Sequence, residues 1–389
     1  MDYGLILFFT LHLGHNGSMP NSLHLLSFDI PGPPNYGGVI DIYYKIKALH
    51  ELGIKIFLHC FQYGRSRATS LEKFCENICY YRRNTSKILI LNNLPYIVIS
   101  RKSANLFQNL LNDNHPILVE GLHCCSLLTE DRFTNRKIIV RTHNIEHEYY
   151  AGLAQTEKNL LKRWYLLNQI PKLKRFESNL THASALAAIS PRDTEYFSKK
   201  YKNVHYLPPF HPFDKIEIPT GKGRFALYHG NLAVSENSAV ALYLINQVFN
   251  DLEIPLIIAG ANPSPSLRRA LAPYRHIELK ENPTMDEMNR LISTAQIHVL
   301  PALQSSGFKL KLLAALFRGR HCLSNSQMLD GTGLEDLCVT ANNENKMKEE
   351  INRLFSKEME TSEKKRRETI LMDKFSNHKN AEKLIKIIF

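Results

Sequence analysis

The sequence predicts an α/β protein built from two doubly wound domains, each around a parallel sheet. The chain has 389 residues with 44% hydrophobic content, which is too long for one ordinary α/β unit and apolar enough for two cores. Short β-type runs alternate with longer helix-type stretches, a pattern typical of parallel sheets. The same alternation starts again in the second half, after a proline-rich interval.

The first half contains the elements of one domain, assigned to residues 19–210. Pro171 should break or kink a basic helical segment that covers residues 155–180. We treat residues 1–18 as an uncertain extension, because the apolar run at 5–13 is too short for a membrane span and lacks a basic segment before it. The other predicted elements are strands at 23–28, 55–60, 87–91, 117–120, 137–141, 185–189 and 205–207, and a helix at 41–52.

Residues 211–223 are interpreted as a linker, because prolines and a Thr-Gly-Lys-Gly sequence interrupt the pattern there. Residues 224–370 then form the second domain, and residues 371–389 are expected to be a terminal helix that packs back on the first domain. The predicted elements of this half are strands at 224–228, 256–260, 277–279, 297–300 and 321–324, and helices at 237–249, 266–271 and 285–295.

Charge and cysteine usage narrow the functional classes. The net charge of +12 favours an anionic partner, which could be nucleic acid, an anionic membrane surface or a phosphorylated small molecule. Basic residues are dispersed over both halves without a nucleic-acid module, so no nucleic-acid partner is expected. The seven cysteines show neither CxxC pairs nor metal-ligand spacing, which predicts reduced thiols and a cytoplasmic location.

The loop at residues 31–38, Pro-Gly-Pro-Pro-Asn-Tyr-Gly-Gly, follows a predicted strand and opens a helix. Gly37 and Gly38 would leave free backbone amides at the positive end of the helix dipole, where a phosphate or a sugar hydroxyl can bind. The loop is neither a Walker A sequence nor GxGxxG, and a turn that needs glycine for its backbone angles is the alternative.

Polar residues also end the strand that precedes residues 141–147, Arg-Thr-His-Asn-Ile-Glu-His. His143, Asn144 and Glu146 are candidates for proton transfer or hydroxyl recognition at a reacting centre. His143 and His147 have i, i+4 spacing, but the pattern is not HExxH and no third ligand stands out, so no metal is expected. A polar cluster that merely caps a helix is the alternative.

The most specific stretch covers residues 300–319, in which a strand ends, a glycine turn follows and a helix begins. Lys309 and Lys311 lie near the start of that helix, where lysines and helix amides would suit a leaving diphosphate. Two lysines on a solvated helix face are the alternative.

This stretch resembles the EGFGLPLLEAMACG-type segment of family 4 glycosyltransferases of the GT-B fold. The agreeing residues are Gly307, Phe308, Leu310, Leu312, Leu313, Ala315 and Gly319. The resemblance extends to the glycine loop at 31–38, the HN.E strand end at 141–146, the second-domain opening at 228–231, and the loops at 258–260 and 331–335. It implies two Rossmann-like domains facing across a cleft, with the acceptor on the first and a nucleotide sugar on the second.

The resemblance also implies retention of anomeric configuration and roles for particular residues. His143, Asn144 and Glu146 would be catalytic, and Gly37 and Gly38 would lie near the acceptor or phosphate. The residues expected around the donor are Gly230, Asn231, Ser306, Gly307, Phe308, Lys309, Lys311, Gly331 and Glu335.

Several positions depart from the family pattern. Ser306 and Ala314 stand where the motif carries its two glutamates, and Asn231 stands where a phosphate-binding cation is usual. By hypothesis, Lys309 and Lys311 supply the missing positive charge. No DxD sequence occurs, so we expect metal-independent transfer with no cofactor beyond the nucleotide-sugar substrate.

The acceptor class stays open among glycans, lipid-linked and protein-linked molecules. The basic stretch at 158–175 could attract the inner membrane surface, which would suit a lipid-linked acceptor, whereas an ordinary amphipathic helix is the alternative. A GT-B protein that binds sugar or nucleotide without catalysis is the main functional alternative. A nucleotide-sugar epimerase of the same architecture would need a carboxylate set that the sequence does not assemble.

Overall fold

A computed structural model of the chain describes residues 21–305, 307–308 and 310–389. It contains two sheets in which every strand pairing is parallel, so the predicted fold class of two doubly wound α/β domains is confirmed. The predicted extension at 1–18 and two predicted donor residues, Ser306 and Lys309, lie outside the described residues.

The first sheet has the strand order β3-β2-β1-β4-β5-β6-β7. Its strands are β1 (Ser22–Ser27), β2 (Lys55–Gln62), β3 (Asn77–Arg82), β4 (Ile117–Glu120), β5 (Ile138–Thr142), β6 (Ala185–Ala188) and β7 (Val204–Tyr206). The helices connecting them are α1 (Gly37–Glu51), α2 (Tyr96–Ile99), α3 (Ala104–Leu110), α4 (Glu146–Thr156), α5 (Leu160–Glu177) and α6 (Pro191–Ser198).

The second sheet has the order β10-β9-β8-β11-β12-β13. Its strands are β8 (Ala226–His229), β9 (Leu256–Gly260), β10 (Ile277–Glu281), β11 (Ile297–Val299), β12 (His321–Ser324) and β13 (Val339–Thr340). Its helices are α7 (Ser235–Tyr243), α8 (Pro265–Leu271), α9 (Met285–Thr294), α10 (Leu310–Arg318), α11 (Ser326–Leu329), α12 (Glu344–Ser356) and α13 (Thr361–Lys374), and α14 (Asn377–Ile388) ends the chain.

Local sequence explains where many helices begin. Thr284 and Glu287 form a reciprocal capping box at the start of α9, which satisfies two backbone amides. Ser190 caps α6 directly before Pro191, whose fixed φ suits the first helical position. The predicted helix start at residue 285 agrees with the capped start of α9, whereas no helix was predicted at α6.

The prediction of a strand at 87–91 is wrong. That run, Lys87–Leu91, forms a 3-10 helix, and the strand beside β2 is β3, ten residues earlier in the chain. A short apolar run does not distinguish a strand from a helical turn by periodicity alone, and Ile88 and Leu91 here are 71% and 77% exposed.

Pro171 lies inside α5 and does not end that helix. Proline removes the amide that would bond to the carbonyl of Leu167, and both residues lie on the exposed side of the helix. Water can therefore satisfy that carbonyl, which explains why α5 continues.

Each sheet lies in its own apolar core. Helix α14 packs on α1, and its Ala381, Leu384 and Ile388 are buried in the core of the first domain. All seven cysteines are unpaired. No helix in the described part of the chain has the length and apolarity to cross a bilayer.

A buried network of charged side chains joins α1 to the first sheet. Lys45 Nζ lies 2.8 Å from Asp41 Oδ2 and 2.7 Å from Glu120 Oε1. Arg141 donates to both carboxylate oxygens of Asp41 at 3.0 and 3.2 Å. Burial opposes ionisation of Asp41, but the charges of Arg141 and Lys45 outweigh it and lower the pKa of this carboxyl. The four buried groups therefore stabilise one another as ions.

We predict that Lys45→Met lowers the free energy of unfolding by about 3–5 kcal/mol, because it leaves buried carboxylates short of a cation. The matched control is Lys47→Met, which removes a half-buried lysine 3.7 Å from the exposed Glu51 and should change stability by less than about 0.5 kcal/mol. Urea denaturation followed by circular dichroism measures both variants. Equal losses would contradict the assigned role of Lys45.

Candidate functional site

The loops of the two domains meet along one cleft. A Cβ placed on Gly307, whose φ is +68°, would lie 2.1 Å from Asn144 Oδ1, so the backbone of the second domain contacts the loop after β5. Thr156 Oγ1, at the end of α4, lies 2.9 Å from Ser235 Oγ, at the start of α7. The predicted catalytic loop and the predicted donor loop are thus brought together.

His143 is held by the buried charge network. Its Nε2 lies 2.9 Å from Glu120 Oε2, and its ring meets Phe28 edge-on at 5.6 Å. Burial opposes ionisation of Glu120, but Lys45 and His143 outweigh it and lower the pKa of the carboxyl. An ionised Glu120 accepts a hydrogen bond from His143 Nε2–H, so Nδ1 is the acceptor atom of the neutral ring.

Glu146 is buried at the start of α4. Burial, with a smaller contribution from Asp193, raises the pKa of Glu146 to about 7, against the opposing hydrogen bond from Asn144. Its Oε1 lies 4.0 Å from His123 Nδ1, and neither atom has a hydrogen-bond partner among residues 21–305, 307–308 and 310–389. Sequence reasoning missed His123, which only its place after the carboxyl end of β4 could have indicated. A carboxyl that titrates near neutrality beside a cleft is suited to proton transfer.

We predict that Glu146→Gln stabilises the protein at alkaline pH. The folded pKa of about 7 exceeds the usual 4.5, so the stabilising contribution of this carboxyl is fully present below pH 4.5 and is lost as the pH rises through 7. Glutamine does not ionise, so the gain over the parent protein should grow from near zero at pH 4.5 towards about 3 kcal/mol at pH 8.

Urea denaturation of both proteins between pH 4.5 and 8 measures this difference. Glu51→Gln is the control, because Glu51 is exposed and should give no pH-dependent gain. A Glu146→Gln profile parallel to that of the parent protein would show that the carboxyl does not titrate in this range.

The two predicted acceptor-side glycines differ in surroundings. The side chain of the N-cap residue, Tyr36, makes no capping hydrogen bond to α1, and a Cβ on Gly37 would meet no heavy atom of the described residues within 4 Å. A Cβ on Gly38 would lie 2.6 Å from Phe28 Cζ, so packing alone requires glycine there. Gly37 therefore leaves accessible backbone at the helix start. Neither glycine has a positive φ, so the alternative of a turn that needs glycine for its backbone angles does not apply to them.

On the second domain, Lys311 lies beside the loop that carries Gly230. Its Nζ donates to Asn237 Oδ1 at 3.2 Å and lies 4.8 Å above the ring of Tyr228. Asn231 Oδ1 accepts from the Ala233 amide at 3.1 Å, which is a local turn contact. The ring of Phe308, another predicted donor residue, lies 5.6 Å from the ring of Phe375.

A pocket of about 440 Å³ lies beyond the carboxyl ends of β12 and β13. Its volume is in the range of small-molecule sites. Two predicted donor residues, Gly331 and Glu335, line it. The full lining is Ser305, Ser326, Gln327, Leu329, Asp330, Gly331, Glu335 and Thr340.

Arg192 of the first domain contacts Asp330 and Gly331, which line this pocket, and sequence reasoning missed it. Its guanidinium lies 2.8 Å from Glu148 Oε2 and 3.4 Å from Asp330 Oδ2. A Cβ on Gly331, whose φ is +64°, would lie 2.5 Å from Arg192 Cβ. The only sequence signal was its place just after β6, at the carboxyl edge of the first sheet.

One group of three side chains in the described residues has the spacing of metal ligands: Asp41, Glu120 and His143. The oxygens of both carboxylates already accept from Lys45, Arg141 and His143. Both carboxylates are therefore already paired with the cations of Lys45 and Arg141. His147 is not part of this group, because its Nδ1 lies 3.3 Å from Glu177 on α5.

Comparison with solved structures defines the fold. The chain is similar to TarM, with a TM-score of 0.69 at 9% identity over 95% of this chain and 99% of that one. Its TM-score to the sucrose-phosphate synthase of Thermosynechococcus elongatus is 0.68 at 12% identity, over 94% and 98% of the two chains. HepE of Anabaena, solved with UDP and glucose, gives 0.62 at 11% identity, over 94% and 98%. The chain therefore has the GT-B fold of these glycosyltransferase structures.

Sequence comparison adds one relative. An uncharacterized 44.6 kDa protein in the cps region of Klebsiella pneumoniae is 26% identical over 341 residues, which cover 82% of this chain and 87% of that protein. No family model matches the chain.

Proposed function

We propose that this protein transfers a sugar from a nucleotide-activated donor to an acceptor bound across the cleft. The contact between Gly307 and Asn144 carries the proposal, because it joins the predicted donor loop of one domain to the predicted catalytic loop of the other. The GT-B fold and the pocket of about 440 Å³ beside Gly331 and Glu335 support it.

In this proposal the nucleotide sugar lies on the second domain, near Gly230, Asn231 and Phe308. Lysines at 309 and 311 and the amides at the start of α10 stabilise the leaving phosphate, which makes a metal ion unnecessary. His143, Asn144 and Glu146 face the reacting centre, and retention of configuration is expected from the family resemblance.

The acceptor lies on the first domain, near Gly37 and Gly38. We propose a glycan or a lipid-linked acceptor, and a role in polysaccharide biosynthesis is supported by the cps-region name of the Klebsiella relative. UDP is the first nucleotide to test, because HepE was solved with UDP and glucose.

The thermal midpoint of the protein should rise with one of UDP, GDP, ADP, CDP or dTDP, or with its sugar conjugate, in metal-free buffer. A ligand that binds only the native state at 100 times its Kd stabilises it by about 2.7 kcal/mol. Thermal-shift measurements across this panel test the donor class. An unchanged midpoint with every member would overturn the proposed donor binding.

We predict that Gly307→Ala weakens binding of the nucleotide sugar at least about tenfold, because the new methyl group would collide with Asn144 and force the loop out of place. The control is Gly53→Ala, which has a similar φ of +79° but meets no atom within 4 Å. Isothermal titration with the nucleotide sugar found in the panel measures both. Equal effects would assign the loss to backbone strain rather than to the cleft contact.

A non-catalytic GT-B protein is the second candidate, and the replacement of both motif glutamates by Ser306 and Ala314 favours it. The two candidates differ in turnover. A sugar transferase releases free nucleoside diphosphate when an acceptor is added, whereas a binding protein returns the nucleotide sugar intact. An assay of nucleoside diphosphate release with glycan and lipid-linked acceptors separates them.

A further inference from the structure

Exposed apolar side chains are concentrated on two segments of the first domain. Of the eleven large hydrophobic side chains that are exposed in the described part of the chain, six belong to the 3-10 helix at Lys87–Leu91 and to the first half of α5. They are Ile88, Leu91, Leu160, Leu161, Trp164 and Leu167. Single exposed hydrophobic residues are ordinary, but a concentration of them marks an interaction surface.

The Lys87–Leu91 segment contacts the second half of α5. Lys172 Nζ on α5 donates to the carbonyl oxygen of Ile90 at 2.6 Å. Within α5, Leu160, Trp164 and Leu167 recur at spacings of four and three residues, which places them on one face of the helix. We call the six exposed residues and this stretch of surface the α5 face.

Cations predominate in the two segments that carry the α5 face, and the carboxylates of Glu157 and Glu177 lie at the two ends of α5. No aspartate or glutamate occurs between residues 77 and 112 or between residues 158 and 176. The second range carries six cations, which are Lys158, Lys162, Arg163, Lys172, Lys174 and Arg175. An apolar stripe flanked by lysines and arginines, with a tryptophan in it, is the composition of a helix that lies in a membrane interface.

The α5 face also has a defined place relative to the cleft. The Lys87–Leu91 segment follows β3 at its carboxyl end, which is the edge of the sheet that carries the candidate site. Helix α5 begins four residues after Thr156, whose hydroxyl contacts Ser235 of the second domain. The face therefore adjoins the cleft on the acceptor side.

We propose that the α5 face docks on an anionic lipid bilayer. Leu160, Leu161 and Trp164 enter the interfacial layer, and the flanking lysines and arginines contact anionic headgroups. Docking itself does not require sugar transfer. Together with the proposed sugar transfer, docking brings the cleft to an acceptor that is anchored in the same bilayer.

Trp164 makes the docking directly measurable, because it is the only tryptophan of the chain. The full-length protein is mixed, without nucleotide, with vesicles of phosphatidylcholine alone or with phosphatidylglycerol added. We expect co-sedimentation with the anionic vesicles, a blue shift of tryptophan emission, and a loss of at least about tenfold in binding when salt is raised from 0.1 M to 0.5 M.

Two double variants test the two components of the face. Leu160→Ser with Leu161→Ser, and separately Lys162→Glu with Arg163→Glu, should each weaken vesicle binding at least about tenfold. The matched controls lie at the opposite, amino-terminal edge of the first sheet: Leu111→Ser for the apolar change, and Lys55→Glu with Lys137→Glu for the charge change. All these residues are exposed, so thermal midpoints should stay close to that of the parent protein.

The proposal is overturned if anionic vesicles leave the protein in the supernatant, or if the control variants lose as much binding as the variants of the face. A blue shift that follows protein concentration in vesicle-free buffer would instead show that a second copy of the chain covers the face. Because no nucleotide is present, none of these results depends on whether the proposed sugar transfer is correct.

Discussion

The ion network of Asp41, Lys45, Glu120 and Arg141 is the constraint on which the rest of the molecule depends. It joins α1 to β4 and β5, and Arg141 also donates to the carbonyl oxygens of Leu207 and Pro208, where the chain leaves the first domain. Removing one charge would leave its partners buried and unpaired, so the network favours a single arrangement of these elements. The ion network therefore fixes both the edge of the first sheet and the start of the chain segment that leads to the second domain.

The same network orients the candidate site. Glu120 accepts from Lys45 with one oxygen and from His143 with the other, so a structural ion pair also sets the donor and acceptor atoms of the histidine ring. Burial raises the pKa of the nearby Glu146 to about 7, against smaller opposing effects of the Asn144 hydrogen bond and the Arg101 charge. Glu120 is thus kept ionised, whereas Glu146 can exchange a proton near neutral pH. Different surroundings therefore give two carboxyl groups of one cleft different pKa values.

Close backbone contacts explain how residues from two domains share one cleft. Gly307 and Gly331 each stand where a side chain would collide with Asn144 or Arg192 of the first domain. The α5 face lies outside this contact zone but at the same edge of the first sheet. A surface for a bilayer and a cleft for a nucleotide sugar would therefore work side by side without sharing residues.

The sequence by itself determined the alternation of strands and helices, because periodicity and capping act over a few residues. The strands at 117–120, 256–260 and 321–324 have the predicted bounds, whereas 87–91 is a 3-10 helix because a short apolar run carries no period of its own. Family resemblance pointed to His143 and Gly307, but not to their partners. Only the tertiary structure placed Glu120 against His143 and Arg192 against Asp330, because those pairs are distant in the chain. It also decided that Leu173 is buried while Leu160 and Trp164 are exposed, since helical spacing marks an apolar face without showing what packs against it.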